Sequence, residues 1–169
     1  ASLVDACRLS RSRIVVTPHG DVRAVAGALA ARTEPRALVL TDSVFSTDGD
    51  LAPLRDLHEA CRTHGALLLV DEAHGIGVRG AGGRGLVHET GLAGQPDVIV
   101  TATLSKSLAS QGGVVLADAR VREHLIDTAR TFIFDTGLAP AAVGAARGAL
   151  KVLRAEPGLA GAVIEQAAH

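Results

Sequence analysis

Lysine is scarce in this chain: Lys106 and Lys151 stand against fifteen arginines. Methionine, tryptophan and tyrosine are absent, and there are two cysteines, Cys7 and Cys61. The cysteines lie far apart with no metal-ligand spacing, so no metal site is expected and they read as reduced core thiols of a cytoplasmic protein. No apolar run approaches the roughly 18 residues needed to span a bilayer. No stretch pairs a charged start with an apolar core as a secretory leader does. Charge of either sign is not in excess; the formal net charge of -1 argues against a general nucleic-acid surface. The lack of methionine, the opening Ala1-Ser2-Leu3-Val4 and the helix-like ending Ile164-Glu165-Gln166-Ala167-Ala168-His169 lead us to expect an internal piece of a longer enzyme.

What is present is enough for a folded core. Apolar residues make up 47% of the 169 positions, about one domain's worth. Short apolar runs at Ile14–Val16, Ala37–Leu40, Leu67–Val70, Val98–Val100 and Val114–Leu116 alternate with helical patterns at Val22–Arg32, Pro53–His64 and Arg120–Arg130. Asp21 is placed to cap the first helix, and Asp50 with Pro53 marks the start of the second. A long Ala-rich helix, about Ala139–Arg154, is broken by Pro157-Gly158 before a last helix. Runs without alternation predict strands buried on both faces, hence an α/β fold with a mainly parallel sheet flanked by helices. The stretch from Gly75 to Gly85 holds six glycines and reads as a loop.

In open parallel sheets ligands gather beyond the carboxyl ends of the strands. Asp71 ends one run, Thr103 and Lys106 follow another, and Ser46 lies a few residues past Leu40. These groups therefore line one edge. Arginine cannot stand in for lysine where an amine must attack a carbonyl, because its guanidinium stays protonated. A lone lysine 35 residues after a strand-end aspartate suits an enzyme that holds pyridoxal 5'-phosphate covalently. Lys106 has the amine for the aldehyde; Asp71 has the carboxylate for the pyridine nitrogen. His74 and Ser46 suit the phenolate oxygen, and Thr103 the phosphate. Taken singly each has a plainer explanation: a turn former, a structural histidine, a solvated charge, as Lys151 is expected to be. The joint pattern carries the weight.

A second pattern competes for the same letters. Asp71-Glu72-Ala73-His74 spells the acidic box of DEAH-type helicases, and Thr101-Ala102-Thr103 resembles their Ser-Ala-Thr motif. The phosphate-binding G-x-x-x-x-G-K-[ST] loop is absent from these residues, and the helicase reading leaves the segments around Ser46 and Lys106 unexplained.

Five segments in order carry a resemblance over essentially all of the chain. They are the opening Ala1–Ser10, the serine loop Ser43–Leu54, the strand and turn Asp71–Val78, the lysine loop Thr103–Leu108, and Phe132–Pro140. Together they resemble the α-oxoamine synthases, fold-type I pyridoxal phosphate enzymes. The resemblance implies an incomplete large domain of the aspartate aminotransferase-like kind, with residues 1–169 its central part and the small C-terminal domain missing. It implies that Lys106 bonds the cofactor and moves the substrate's α-proton, that Asp71 pairs with the pyridine nitrogen, and that His74 and Ser46 address the phenolate side. Thr103 would contact the phosphate. Phe132–Pro140 is similar to a dimer-crossing segment, so Thr136 would reach the phosphate in the partner's site of a homodimer.

Within the family the segments look most like the branch that condenses L-alanine with pimeloyl-CoA, or the carrier-protein thioester, in biotin biosynthesis. Serine palmitoyltransferase, 5-aminolevulinate synthase and 2-amino-3-ketobutyrate ligase are the alternatives. A silent binding subunit would be marked by loss of the lysine, which is retained. Three departures are noted. Ala109 stands where relatives often place glycine. Asp135 precedes Thr136, so its carboxylate is expected to turn away from a phosphate. The ring-stacking histidine would precede Ala1, and the piece alone is expected to have little or no synthase activity.

Overall fold

The computed structural model describes residues 2–168; Ala1 and His169, which belong to the two terminal segments named above, lie outside them. Helix α1 (Ser2–Leu9) is followed by α2 (Val22–Ala30), β1 (Leu38–Asp42), α3 (Leu54–Thr63) and β2 (Leu67–Asp71). After a 3-10 turn at Ala81–Gly83 come α4 (Leu86–Glu89), β3 (Val98–Thr103), β4 (Gly113–Leu116), α5 (Ala119–Thr128), α6 (Arg130–Ile133), α7 (Pro140–Ala155) and α8 (Leu159–Ala167). Asp21 caps α2 as expected, its carboxylate accepting from the Ala24 N–H at 2.9 Å.

The sheet is mainly parallel: β1, β2 and β3 run together in that order, and β4 returns antiparallel on β3. Burial alternates along the middle strands, which corrects the expectation of strands covered on both faces. Leu68, Val70, Val98 and Val100 point into one cluster with Leu54, Leu57 and Cys61 of α3 and with Leu86 and Val87 of α4. The opposite face carries Leu38, Leu67 and Val115 partly open to solvent. A run of four leucines and valines does not say how many layers cover it; that depends on helices elsewhere.

Three further expectations are corrected. Ile14–Val16 joins no strand, and Val16 is 88% exposed. Asp50 does not cap α3, whose N-cap is Pro53; it bonds His19 instead. Of the two thiols only Cys61 is in the core, where burial, with Asp97 adding, pushes it up to about 11. Cys7 sits on α1, a helix with no buried residue.

The loop from Leu104 to Gly112 joins β3 to β4. Leu104 and Leu108 are buried against Ala146, Ala149 and Leu153 of α7. Lys106, between them, is exposed. The loop turns back at Ala109, whose N–H bonds the Lys106 carbonyl at 2.9 Å and whose φ is +47°. An L-residue there costs about 1–2 kcal/mol, a cost that glycine would not carry. Ala109→Gly is expected to raise the thermal midpoint of the intact protein by about 1–3 °C; a calorimetric scan showing no rise would contradict the assigned conformation.

Candidate active site at the carboxyl edge of the sheet

The ends of β1, β2 and β3 build the site as a ledge. Register places Asp42 opposite Asp71, and Asp71 opposite Thr101. All three are half-buried and point to the open face, as does Thr103 two residues further along β3. Asp71 is held by its own turn, one carboxylate oxygen accepting from the Ala73 N–H at 2.9 Å. Burial, then the charge of Asp71, pushes the Asp42 carboxyl above its ordinary range, while His74 and Lys106 act the other way. Asp71, His74 and Lys106 thus act electrostatically on one point.

His74 is half-buried and bonds none of the described residues. Among those residues the Lys106 amine has no ion-pair partner. The Thr103 hydroxyl lies 2.7 Å from that of Ser105 and accepts from the Ser105 N–H at 3.2 Å. Two hydroxyls, not one, therefore stand at the start of the lysine loop. The Thr101 hydroxyl is buried without a partner among the described residues. Such an atom carries a desolvation cost unless something meets it.

Ser46 is exposed at the tip of the loop after β1, which an isolated bridge between Val44 and Leu51 closes. His19 holds this loop from outside: Nε2 lies 2.6 Å from the Asp50 carboxylate, and its ring meets Phe45 edge-on at 4.3 Å. Thr136 is exposed between α6 and α7, and no hydrogen bond joins it to the other five candidates. The Asp135 carboxylate turns back onto the Thr136 N–H at 2.8 Å. Phe132 and Phe134 stand exposed just before it.

Glu72 shapes the turn beneath these groups. It is 1% exposed, accepts the Ser43 hydroxyl at 2.7 Å and the Val87 N–H at 2.6 Å, and has no cationic partner among the described residues. A Cβ on Gly75 would stand 1.8 Å from one of its oxygens, and one on Gly85 2.7 Å from the other. Two glycines of the Gly-rich loop are thus explained by close approach to a carboxylate. Gly77 lies against Ser107 of the lysine loop, where a Cβ would come within 2.4 Å, and the Ser107 hydroxyl donates to the Ile76 carbonyl at 2.6 Å. The turn after β2 and the loop after β3 are therefore tied to each other.

Sequence reasoning missed Asp42, Glu72, Thr101, Ser105 and His19. A signal for Asp42 was present: Leu38-Val39-Leu40-Thr41-Asp42 and Leu67-Leu68-Leu69-Val70-Asp71 are two apolar runs that both end in aspartate. Nothing local marked Glu72 as the buried member of its pair.

The donor set fits pyridoxal phosphate: a free primary amine, a strand-end carboxylate, an imidazole and several hydroxyls share the ledge, with one buried hydroxyl unmet. A family model described as aminotransferase class I and II matches residues 1–168. The chain is 73% identical over 169 residues to an 8-amino-7-oxononanoate synthase of Mycolicibacterium smegmatis, covering all of this chain and 44% of that protein. It is 75% identical over 167 residues to the enzyme of the same name from Mycobacterium avium, covering 99% of this chain and again 44% of that one. Thus it spans less than half the length of the curated relatives it matches. Among solved structures, Sphingomonas wittichii serine palmitoyltransferase superposes with a TM-score of 0.83 at 35% identity, over 90% of this chain and 38% of that one. The 8-amino-7-oxononanoate synthase of Francisella tularensis gives 0.75 at 30% identity, over 90% and 44%. A serine palmitoyltransferase from S. paucimobilis, similar at 35% and 0.84 over 90% of this chain and 38% of that one, was solved with bound PLP-myriocin.

The Glu72 contacts yield a test. In Glu72→Gln the amide oxygen still accepts from Val87 and the amide nitrogen donates to a rotated Ser43 hydroxyl, so the thermal midpoint is expected to stay within a few degrees. Glu72→Ala leaves two buried donors and a void, at a cost of about 3 kcal/mol or more. Equal damage from both, read by thermal unfolding, would mean that shape is not what Glu72 supplies.

Proposed function

The chain belongs to the class I and II aminotransferase family, and from that membership we propose that it is the central part of a pyridoxal phosphate-binding large domain. The protein carrying it would condense L-alanine with a pimeloyl thioester, CoA or carrier-bound, to give 8-amino-7-oxononanoate. Identity of 71–75% to proteins of that name supports this substrate class over serine palmitoyltransferase, the solved structures of which are 35–36% identical. The observation that supports the reading is topological: Asp71 ends β2, His74 lies in the turn that follows, and Lys106 lies in the loop after the neighbouring β3.

Bound there, pyridoxal phosphate would supply an electron sink for the negative charge left on the amino acid's α-carbon. Lys106 would hold the cofactor through its Nζ and, as the free amine, would take up and return the α-proton of alanine. Asp71 keeps a proton on the pyridine nitrogen, which deepens the sink. His74 and Ser46 orient the ring from its phenolate side. The Thr103 and Ser105 hydroxyls face the phosphate, and Thr136 serves the phosphate in the partner's site of a homodimer. In the net reaction a bond forms between alanine's α-carbon and the thioester carbonyl, and thiol and carbon dioxide leave.

The exposed Phe132, Phe134 and Leu138 support the second-subunit role of this segment, since large apolar side chains cluster there without cover. The half-open sheet face is where the rest of the large domain would pack. None of the described helices is long and apolar enough to cross a membrane; a cytoplasmic location is our reading of an enzyme with small soluble substrates.

Loading the intact protein with pyridoxal phosphate is expected to give a yellow band that borohydride bleaches, with the reduced label mapping to Lys106. No band, or label elsewhere, would remove the centre of the proposal. Asp71→Asn should still take up cofactor while turnover falls on the order of 10²–10⁴-fold. Normal turnover in that variant would refute the role given to Asp71.

A further inference from the structure

Asp42 has no role in the scheme above, yet the fold puts it beside the residue on which that scheme depends. It ends β1 as Asp71 ends β2, and the register sets the two directly opposite. Neighbouring strands lie about 4.8 Å apart, and directly opposite residues share a face. Two half-buried carboxylates therefore stand side by side on the ledge, with the unmet Thr101 hydroxyl on the far side of Asp71. Asp71 spends one oxygen on the Ala73 N–H. Among the described residues the Asp42 carboxylate accepts no hydrogen bond and pairs with no cation. Among the described residues, the ionisable groups that act on it are Asp71 from β2, His74 from the turn that follows and Lys106 from the loop after β3.

A carboxylate left without local neutralisation projects its charge. On the cofactor reading, the group that Asp71 meets is a protonated pyridine nitrogen, a cation one strand over from Asp42. Resting on the cofactor reading above, we propose that Asp42 is a positioning residue that acts alongside Asp71, its negative charge one strand over holding the proton on the ring nitrogen. One carboxylate would meet that proton directly and the second would deepen the potential in which it sits. Burial keeps the effect from being dissipated by solvent, and the same burial raises the Asp42 carboxyl above its ordinary range. The contribution of Asp42 is thus present while its carboxyl is ionised and is lost as acid protonates it.

The test uses the intact protein loaded with pyridoxal phosphate labelled with nitrogen-15 in the ring. Its nitrogen resonance is followed against pH in the parent, Asp42→Asn and Asp42→Glu. Removing a negative charge disfavours a nearby cation, so Asp42→Asn should move the midpoint of ring-nitrogen deprotonation down by about one pH unit. Asp42→Glu, which restores the charge, should return it most of the way; a packing role alone would not follow charge in this manner. If Asp42→Asn does not fold, Asp42→Ser carries the same expectation. An unchanged midpoint in a neutral variant, with the yellow band and the Lys106 label intact, overturns this proposal and leaves the cofactor reading standing. Loss of the band in the parent overturns both.

Discussion

A buried carboxylate with no counterion among the described residues organises the edge of this sheet. Glu72 is held by one hydroxyl and one backbone N–H, and the chain answers its bulk by giving up side chains at Gly75 and Gly85. Removing an anion from water is costly unless its lone pairs are met. The loop after β1, the turn after β2 and the start of α4 are therefore drawn to a single point. The residue before Glu72 is left to face the other side of the sheet. Strand alternation thus divides one acidic pair into a buried brace, Glu72, and a half-buried carboxylate on the open face, Asp71.

The open face follows from the same alternation. Its row of Asp42, Asp71 and Thr101 runs across three strands at one level, with Val115 beside Thr101 on β4 and Leu38 and Leu67 at the far ends of β1 and β2. Polar groups collect at the carboxyl ends and apolar ones behind them. A flat ring with one charged nitrogen would find its polar partners at the rim and its apolar support inward. The closed face has no such division, and packs leucine and valine against α3 and α4 throughout.

Much of this was legible in the chain. The parallel order of strands came from apolar runs spaced by helical patterns, and Lys106 came from rarity: one of two lysines, placed after a strand. Asp21 showed itself as a cap because capping is local. What stayed hidden depends on contacts between distant segments. The one-sided cover of the sheet, the bond from His19 to Asp50 and the meeting of Gly77 with Ser107 join residues about 30 apart. Ile14–Val16 has the composition of a strand but no neighbour to pair with among the described residues, and pairing, not composition, makes a strand. Asp42 was readable only if two runs ending alike had been set side by side.

The lysine loop has a consequence for how its amine travels. Leu104 and Leu108 are sunk into the α7 contact on either side of Lys106, and Ser107 is tied to the turn after β2. Backbone displacement at Lys106 would have to break all three attachments. Movement of the amine is then a matter of its own side-chain torsions. Exposed side chains hop between rotamers in picoseconds to nanoseconds, whereas loops rearrange in nanoseconds to microseconds. An amine anchored in this way moves at the pace of its four-carbon tether rather than of its loop.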